Sequence, residues 1–454
     1  MDTKALRQKI LDLAIHGKLV PQDPNDEPAS VLLERIRTEK ERLIKEGKIK
    51  KGKKSAKTSD KPHYPFELPK GWKWCKLGDI AYVGTGATPL TTCKYYYENG
   101  NIAWINSSST KVPFIAKASN FITRKAIEET NCLVYPKGTL VIAMYGEGKT
   151  RGQISELLID AATNQACAAV CPYFEATKEY LKLFFEGNYL HIRALAEGGN
   201  QPNLSLGKIQ NYEIPLPPLD EQKRILEQAK KLLLQVENIE KEKEKNKNSI
   251  KQAKAKILNL AIHGKLVPHD LNDEPASELL RRINPKAEII SDNGHYQQLP
   301  SGWAIASMQT LCSLTDGKKQ NGIERTNLDV KYLRGEREAK TLNFGKYVAA
   351  DSLLILVDGE NSGEVFRTPI EGYQGGTFKQ LAINENMNAD FVLQVIKLHR
   401  KILRENKVGS AIPHLNKKLF KSIDVPIPPY KEQKRIVNAI NETFTILDAI
   451  IEDL

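Results

Sequence analysis

ILDLAIHGKLVPQDPNDEPASVLLERI at 10–36 returns as ILNLAIHGKLVPHDLNDEPASELLRRI at 257–283, with 22 of 27 aligned residues identical. A second pair of related stretches follows, EIPLPPLDEQKRIL at 213–226 and DVPIPPYKEQKRIV at 424–437. The two long segments between these repeats are unlike in sequence. The distance along the chain between the repeated pieces is far longer than the repeat period of a solenoid protein. The chain is therefore built twice on one plan, with similar framework pieces around two different inserts.

The composition describes a globular chain with a basic character. Its 454 residues are 41% hydrophobic and 27% charged, which predicts about three domains and more than one core. The formal net charge is +12 and the isoelectric point is about 9.1. This charge favours a polyanionic partner such as nucleic acid, with an ordinary soluble basic protein as the alternative.

Cysteine usage and hydropathy exclude several classes of protein. The cysteines form no CxxC pair and have no nearby histidine at ligand spacing, so reduced thiols are predicted rather than a zinc site. The N-terminal stretch predicts an amphipathic helix and not a signal peptide. No window holds the roughly 18 apolar residues that a membrane span needs. We therefore expect a cytoplasmic protein with no membrane partner. The cysteines are Cys75, Cys93, Cys132, Cys167, Cys171 and Cys312.

A heptad pattern follows the first EQKRI. From Ile225 to Leu260, apolar or small residues recur at alternating intervals of four and three, with Lys243 and Asn246 filling two of the positions. This period is typical of a coiled coil. Gly264 is placed to end the helix in a left-handed cap. The C-terminal stretch and the N-terminal helix continue the same phase, which predicts an antiparallel coiled coil with circular pseudo-two-fold symmetry.

The inserts predict two mixed α/β globules. GTLVIAMYGEG at 138–148 and DSLLILVDGEN at 351–361 are apolar strands leading into glycine turns, and helical patterns follow near 176–197 and 389–406. Pro28 is placed to open a helix after the first framework repeat. The predicted fold class is therefore α+β, with two mixed α/β domains separated by a long antiparallel coiled coil.

No motif in the chain predicts catalysis or a metal site. IPPY at 427–430 resembles the Pro-Pro-aromatic motif of amino-methyltransferases, but Ile427 offers no acceptor for an exocyclic amine, and the other copy is LPPL at 216–219. No glycine-rich strand-to-helix turn that would bind a methyl donor accompanies either copy. A self-contained adenine methyltransferase is therefore the disfavoured enzymatic alternative, and we predict no catalytic residue and no metal ligand.

Polar loops at the strand ends predict contacts to DNA. Arg and Lys pair with guanine edges, Asn and Gln pair with adenine, and loop amides contact phosphates. For any single residue, an ordinary solvated turn is the alternative interpretation. The candidates are Thr85, Thr88, Lys149, Arg151, Asn200, Gln201, Asn203, Lys318, Lys319, Gln320, Arg325, Lys331, Arg334 and Asn361.

Several motifs together carry a family resemblance over nearly the whole chain. LPxGW opens both inserts, and the first insert contains GTGATPLTT at 84–92, YYYENGNIAWI at 95–105, TNQAC at 163–167 and NQPNLS at 200–205. With IPLPPLDEQKRI and its second copy, these motifs resemble the DNA-specificity subunit of a type I restriction–modification system. The second insert departs from this pattern, because it has SAIPHLN at 410–416 and lacks the GxTP and WI motifs.

The resemblance implies a division of labour between this chain and its partners. Two target-recognition domains would each read half of a split site in double-stranded DNA, and the helical regions would space them and dock two methyltransferase subunits. S-adenosylmethionine would bind to those subunits and not to this chain, and restriction/translocase subunits would join for cleavage. A coiled-coil adaptor that binds only proteins is the remaining alternative. The predicted docking residues are His16, Lys18, His263, Lys265, Gln222, Arg224, Gln433 and Arg435.

The predicted organisation alternates helical segments with recognition domains. The helical segments are 1–45, 219–283, which contains the long coiled-coil helix, and 430–454. The target-recognition domains are 62–218 and 295–429. A basic linker at 46–61 and a second linker at 284–294 join them.

Overall fold

The structure, a computed structural model, describes residues 1–47, 49, 66–146, 149–196, 203–285, 299–408 and 413–454. Most of the predicted linkers at 46–61 and 284–294 lies outside these residues. The chain divides into two compact units, Met1–Glu242 and Lys243–Leu454, called here the first and second units. Each unit mixes helices with strands, which confirms the α+β class.

The first unit frames short strands with helices. Its helices are α1 (Thr3–Ile15), α2 (Ala29–Lys45), α3 (Leu77–Ile80), α4 (Arg124–Glu129), α5 (Lys178–Gly187), α6 (Tyr189–Ala194), α7 (Leu206–Gln210) and the first part of α8 (Leu219–Ile262). Its strands are β1 (Lys73–Lys76), β2 (Ala81–Thr85), β3 (Ile102–Ile105), β4 (Phe114–Ile115), β5 (Asn120–Ile122), β6 (Val134–Tyr135), β7 (Leu140–Ala143), β8 (Ile154–Leu157), β9 (Ala161–Thr163), β10 (Cys167–Pro172) and β11 (Glu213–Leu216).

Two sheets organise the first insert. The larger has the order β2-β10-β7-β8-β4 and the smaller β5-β3-β9-β6, while β1 pairs with β11 where the chain enters and leaves the insert. The strand predicted within 138–148 is confirmed as β7, and every residue of β7 and of its neighbour β8 is buried. The core continues from the larger sheet through α5 to α1 and the start of α8.

The second unit repeats this plan with a different insert. Its helices are the last part of α8, α9 (Ala276–Ile283), α10 (Met308–Leu311), α11 (Val330–Leu333), α12 (Ala389–Glu405), α13 (Lys417–Lys421) and α14 (Tyr430–Asp453). Its strands are β12 (Ala304–Ser307), β13 (Cys312–Thr315), β14 (Lys319–Leu328), β15 (Thr341–Val348), β16 (Leu353–Leu356), β17 (Val365–Arg367), β18 (Gly372–Gln374), β19 (Phe378–Ile383) and β20 (Asp424–Ile427).

The second insert is also built on a small sheet, with the order β13-β19-β16-β17. Strands β14, β15 and β18 close on one another beside it, and β12 pairs with β20 as β1 does with β11. The predicted strand within 351–361 is β16, and the predicted helix near 389–406 is α12, so both predictions are confirmed.

Helix α8 runs for 44 residues and has an antiparallel neighbour in the first unit. Arg7 of α1 forms an ion pair with Glu240 at 2.8 Å. Gln22, which follows α1, donates to Glu221 at 3.2 Å. The start of α1 therefore lies beside the middle of α8 and its end beside the first turn of α8, so the two helices run in opposite directions.

Helix α14 has the same relation to the last part of α8 in the second unit. Lys254 of α8 forms an ion pair with Asp448 near the end of α14. His269, which follows α8, contacts Glu432 at the start of α14 at 2.7 Å. This arrangement is also antiparallel, and it repeats within the second unit the contact geometry of the first.

The apolar residues of the predicted α8 seam are buried or half-buried, but the middle of the helix is open to solvent. Residues 241–249 are exposed apart from the half-buried Lys243, and Asn246 is among the exposed ones. Polar residues therefore occupy the seam where α8 is open to solvent. The seam residues that are buried are Ile225, Ala229, Val236 and Ile250.

The LPxGW motif joins helix to insert in both units. Gly71 and Gly302 adopt φ of +90° and +82°, a region that favours glycine because it has no Cβ. The Gly71 carbonyl accepts a hydrogen bond from Ala29 N at 2.8 Å, and Gly302 does the same for Ala276 at 2.8 Å. These bonds satisfy a backbone amide at the first residue of α2 and of α9, directly after the proline predicted to open the helix.

The tryptophan of each LPxGW motif is buried against a glutamate of the EQKRI repeat. Trp72 Nε1 donates to the Glu221 carboxylate at 2.9 Å, and Trp303 Nε1 donates to Glu432 at 3.2 Å. Both carboxylates are only 1% exposed. The sequence repeats are therefore the two halves of one junction, formed once in each unit.

Candidate nucleic-acid interface

Loops of the first insert meet at one end of its larger sheet. In the register of β10 with its neighbours, Cys167 lies opposite Ala143 and Ala168 opposite Thr85. The last residues of β2 and of β7 and the first residues of β10 therefore lie at the same end of the sheet. Three segments that the sequence singled out, GTGATPLTT, YGEGKTRG and TNQAC, begin or end there.

Hydrogen bonds tie these loops to each other. Thr88 Oγ1 donates to Gln165 Oε1 at 2.7 Å. Met144 N donates to the Ala166 carbonyl at 2.8 Å, and Leu204 N donates to the Met144 carbonyl at 3.0 Å. The loop after β2, the turn before β10, the loop after β7 and the segment before α7 thus form one surface, which we call the loop cluster.

The glycines of GTGATPLTT serve packing within this cluster. A Cβ on Gly86 would lie 1.6 Å from the Thr163 carbonyl oxygen, and one on Gly84 would lie 2.5 Å from the Tyr135 hydroxyl. The Thr85 hydroxyl donates to the Cys167 carbonyl at 2.8 Å. Thr85 therefore uses its hydroxyl inside the protein, whereas Thr88 is exposed.

The basic candidates of the first insert border the cluster. Lys149 is exposed, and its carbonyl accepts from the Tyr189 hydroxyl at 2.6 Å. Arg151 is half-buried, and its carbonyl accepts from the Arg193 guanidinium at 3.2 Å. Asn203 is half-buried next to Leu204. The candidates Asn200 and Gln201 lie outside the described residues.

Two arginine candidates of the second insert are held by acids of the same unit. Arg325 pairs with Glu371 and lies 4.7 Å from the centre of the Tyr347 ring, while Arg334 pairs with Glu364. Their charges are therefore partly offset before any ligand binds. The remaining candidates are the exposed Lys318, Lys319 and Lys331 and the half-buried Gln320 and Asn361.

Asp316 organises the lysines next to β14. It accepts from Lys346 Nζ at 2.7 Å, from Lys379, and from Gln374 Nε2 at 3.2 Å. The hydrogen bond from Lys346, followed by the one from Lys379, lowers the pKa of Asp316 well below its usual range. Asp316 therefore stays ionised, and it fixes the two ammonium groups beside the ribbon formed by β14 and β15.

Neither thiols nor metal ligands assemble into a reactive centre in the part of the chain that the structure describes. Burial raises the pKa of Cys167 and of Cys312 to about 12 each, so both remain thiols at neutral pH. The described residues contain no group of three or more His, Cys, Asp or Glu side chains that could hold a metal ion. Within the same residues, no helix combines the length and the apolar character that crossing a bilayer requires.

A family comparison assigns this architecture. The profile of the type I restriction modification DNA specificity domain matches residues 69–251 and 300–454, so each insert has its own match. The chain belongs to this family. It is the non-catalytic, DNA-recognising specificity component of a type I restriction–modification system, as the sequence predicted.

Relatives and a solved structure agree with the family assignment. The chain is 26% identical to the type I restriction enzyme EcoEI specificity subunit of Escherichia coli, over 98% of this chain and 90% of that protein. It is 29% identical to the EcoAI specificity subunit of Escherichia coli, over 79% and 70%. A structure of a type I R-M system complex aligns with a TM-score of 0.54 at 17% identity, covering 86% of this chain and 94% of that one, which shows a shared fold.

Four predicted docking residues of this specificity subunit are occupied within their own units. Gln222 and Gln433 are fully buried and donate to the carbonyls of Pro217 and Pro428 at 2.9 and 3.0 Å. Direct contact of these two glutamines with another subunit is therefore not supported, because their side chains are enclosed. The arginines pair with acids: Arg224 with Asp26 at 2.5 Å, and Arg435 with Asp273 at 2.7 Å.

The other four docking candidates lie at equivalent helix ends. His16 Nδ1 contacts the Asp12 carbonyl at 2.6 Å, and His263 Nδ1 contacts the Asn259 carbonyl at 2.7 Å. Lys18 and Lys265 follow the left-handed glycines and have exposed side chains. The lysines therefore present matched positive charges on the two units, whereas the histidines close the last turns of α1 and α8.

Two exposed amide side chains were missed by the prediction from sequence. Gln165 lies in the loop cluster, and TNQAC itself was a signal for it. Asn321 lies on β14 between the candidates Gln320 and Arg325. Only the strand register shows which face of the ribbon Asn321 occupies.

Proposed function

We propose that this chain reads a split, asymmetric DNA target, with each unit recognising one half. The observation that supports this proposal is the repeated junction, in which Trp72 with Glu221 and Trp303 with Glu432 hold two different inserts. Two inserts of different sequence on the same framework would bind DNA in the same way but recognise two different base sequences. The net charge of +12 suits the phosphate contacts that supply much of the affinity for DNA.

We infer that α8 sets the distance between the two half-sites. Its 44 residues correspond to a length of about 66 Å. Its antiparallel neighbours α1 and α14 support the interpretation of an antiparallel coiled coil with circular pseudo-two-fold symmetry. A rigid helical spacer suits half-sites held a fixed number of base pairs apart.

We further propose that the repeated framework docks two adenine methyltransferase subunits. The turns at Lys18 and Lys265 are equivalent positions, so two copies of one partner could bind by similar contacts. S-adenosylmethionine would bind to those partners, in keeping with the absence of a donor-binding motif from this sequence. Restriction/translocase subunits would complete the assembly for cleavage.

Methylome sequencing tests the proposal directly. This chain is expressed with its cognate methyltransferase subunit in a host that lacks adenine methylation, and each protein is also expressed alone. We expect methylated adenines in an interrupted, asymmetric motif only when both are present. Methylation by this chain alone would overturn the non-catalytic role, and a complex that forms without producing any motif would favour the protein-binding adaptor.

A further inference from the structure

The ribbon of β14 and β15 in the second unit has two unlike faces. In its register Lys319 lies opposite Lys346, Asn321 opposite Phe344, and Arg325 opposite Leu342. Directly opposed residues share a face, and so do residues two apart on a regular strand such as β15. A register irregularity separates Asn321 from Arg325, and the Arg325 guanidinium lies over the ring of Tyr347, on the same side of β15 as Gly345. The other side of the ribbon, called here the ribbon face, carries Lys319, Asn321, Leu342, Phe344 and Lys346.

The opposite side of the ribbon packs inward next to Tyr373. A Cβ added at Gly345 would lie 2.6 Å from the Tyr373 ring, so this strand position has no room for a side chain. Tyr373 is fully buried, and its hydroxyl donates to the Ile323 carbonyl at 2.7 Å. Gln320, opposite Gly345, is half-buried on this side. Near Gly345 the inward side is thus filled by Tyr373, whereas Asn321 and Phe344 on the ribbon face are both exposed to solvent.

The ribbon face exposes apolar surface that its own unit does not cover. Phe344 is 67% exposed and Leu342 37%, and Ile323 in the irregular segment is 46% exposed. Single exposed apolar side chains are common, but three on one short ribbon indicate a binding surface. Between them Asn321 is exposed, and its side chain has no hydrogen bond to any residue the structure describes. Both its amide oxygen and its amide nitrogen are thus available to a ligand.

The charges around the ribbon favour an anionic partner. Lys318 and Lys319 are exposed, and within the described residues their side chains form no ion pair. Lys346 and Arg325 add positive charge that is partly offset, by Asp316 and by Glu371. Glu324 is the acid on the ribbon itself, and it lies in the irregular segment. Lysines flanking an apolar and amide centre fit a DNA groove better than a purely apolar protein surface.

We propose that the ribbon face enters the major groove of DNA and that Asn321 and Phe344 together read an A·T base pair. The major groove accommodates a two-stranded ribbon. An asparagine amide donates to adenine N7 and accepts from the N6 amine, and a phenylalanine ring packs on the thymine methyl group. The Cβ atoms of directly opposed residues such as these two lie about 5 Å apart, so both side chains can contact one base pair. This inference rests on the proposed function and specifies how the second unit performs it.

Base analogues test the proposal atom by atom. The wild-type complex with the methyltransferase subunit first yields the recognised motif. Duplexes are then made in which single thymines are replaced by uracil, which lacks the methyl group, or single adenines by 7-deazaadenine, which lacks N7. At one A·T pair of one half-site, we expect uracil to weaken binding several-fold and 7-deazaadenine on the order of 10-fold.

Variants connect each lost atom to its side chain. Phe344→Ala should weaken binding to the normal duplex and make the uracil substitution neutral, because the contact is already gone. Asn321→Ala should do the same for 7-deazaadenine. Asn343→Ala, on β15 but on the other side of the ribbon, and Ile402→Ala, an exposed apolar residue of α12, are matched controls that should behave as wild type. The other half-site should keep its sequence preference in every variant.

Each alternative outcome is distinct. If no A·T pair of either half-site responds to the analogues in the wild-type complex, or if the analogues weaken the variants as much as wild type, the ribbon assignment is wrong while the proposed function stands. If Phe344→Ala prevents assembly with the methyltransferase subunit and no coupling to a base atom is found, the ribbon is a protein contact instead. If the wild-type complex forms but recognises no motif, the proposed function fails and this inference fails with it.

Discussion

Glu221 lies at the centre of the first-unit junction, 1% exposed between Trp72 and Gln22. Burial raises the pKa of this carboxyl, and the hydrogen bonds from Trp72 and then Gln22 oppose the rise. The pKa of Glu221 is higher in the folded protein than in the unfolded chain, so Glu221 stabilises the fold fully when the pH is below its pKa in the unfolded chain. This stabilisation is lost as the pH rises through the pKa of Glu221 in the folded protein.

Glu221→Gln removes this titration while keeping the size of the side chain. We expect the free energy of unfolding of the variant to fall less than that of wild type between pH 4 and pH 7, as measured by urea denaturation at each pH. Asp220→Asn is the control: this neighbouring carboxyl is exposed, and its hydrogen bond to Lys223 lowers its pKa, so its contribution has the opposite pH dependence. Parallel pH profiles for Glu221→Gln and wild type would contradict the assignment.

Gly86 is the residue on which the loop cluster depends most directly. Gly86→Ala would place a methyl group 1.6 Å from the Thr163 carbonyl oxygen, so the backbone must move. We expect a loss of stability of about 1–3 kcal/mol in urea denaturation, with weakened recognition of the first unit's half-site. Gly207→Ala, with nothing within 4 Å of the added atom, is the control and should retain both properties. A fully active Gly86→Ala protein would show that the cluster is not needed for recognition.

At the scale of elements, the proposed function assigns the distance between the half-sites to α8. Removal of residues 243–249 deletes seven residues, which preserves the heptad phase and shortens the helix by about 10 Å. These residues are exposed apart from the half-buried Lys243, so little buried surface is lost. We expect the methylated motif to keep both half-sites while its spacer shortens by about three base pairs, at about 3.4 Å each.

A shorter deletion that does not preserve the heptad repeat is the control. Removal of 243–246 shortens α8 by only four residues but rotates one part of the seam relative to the other, because four residues do not complete a heptad. We expect this variant to lose methylation, although its deletion is the smaller one. An unchanged spacer in the seven-residue deletion would exclude α8 as the element that sets the distance.

At the scale of the whole molecule, the two units should bind equivalent partners independently. Lys18→Glu reverses the charge at one exposed helix end and Lys265→Glu at the other. We expect native mass spectrometry to show one bound methyltransferase subunit with either single variant and none with the double variant. Wild-type stoichiometry in the double variant would place the docking surface elsewhere on the framework.

The framework was the part of the fold most open to prediction from sequence. Local patterns predicted it: the heptad of α8, the glycine that ends this helix, and the prolines before α2 and α9. Each of these patterns determines the conformation of only a few neighbouring residues. The strands within 138–148 and 351–361 were also predicted, since short apolar runs beside glycine turns favour strands. The sequence predicted the roles of individual polar residues less well: Gln222 is buried, and Arg325 forms an ion pair within its own unit.

The sequence by itself determined that the protein is built twice, that its charge is positive and that its two inserts differ, because repeats, charge and periodicity are properties of the chain as written. Only the tertiary structure decided which side chains face outward. Thr85 turns inward while Thr88 reaches solvent, and Asn321 shares a face with Phe344 from another strand. Strand register and long-range hydrogen bonds set these choices, and both depend on residues far apart in the chain.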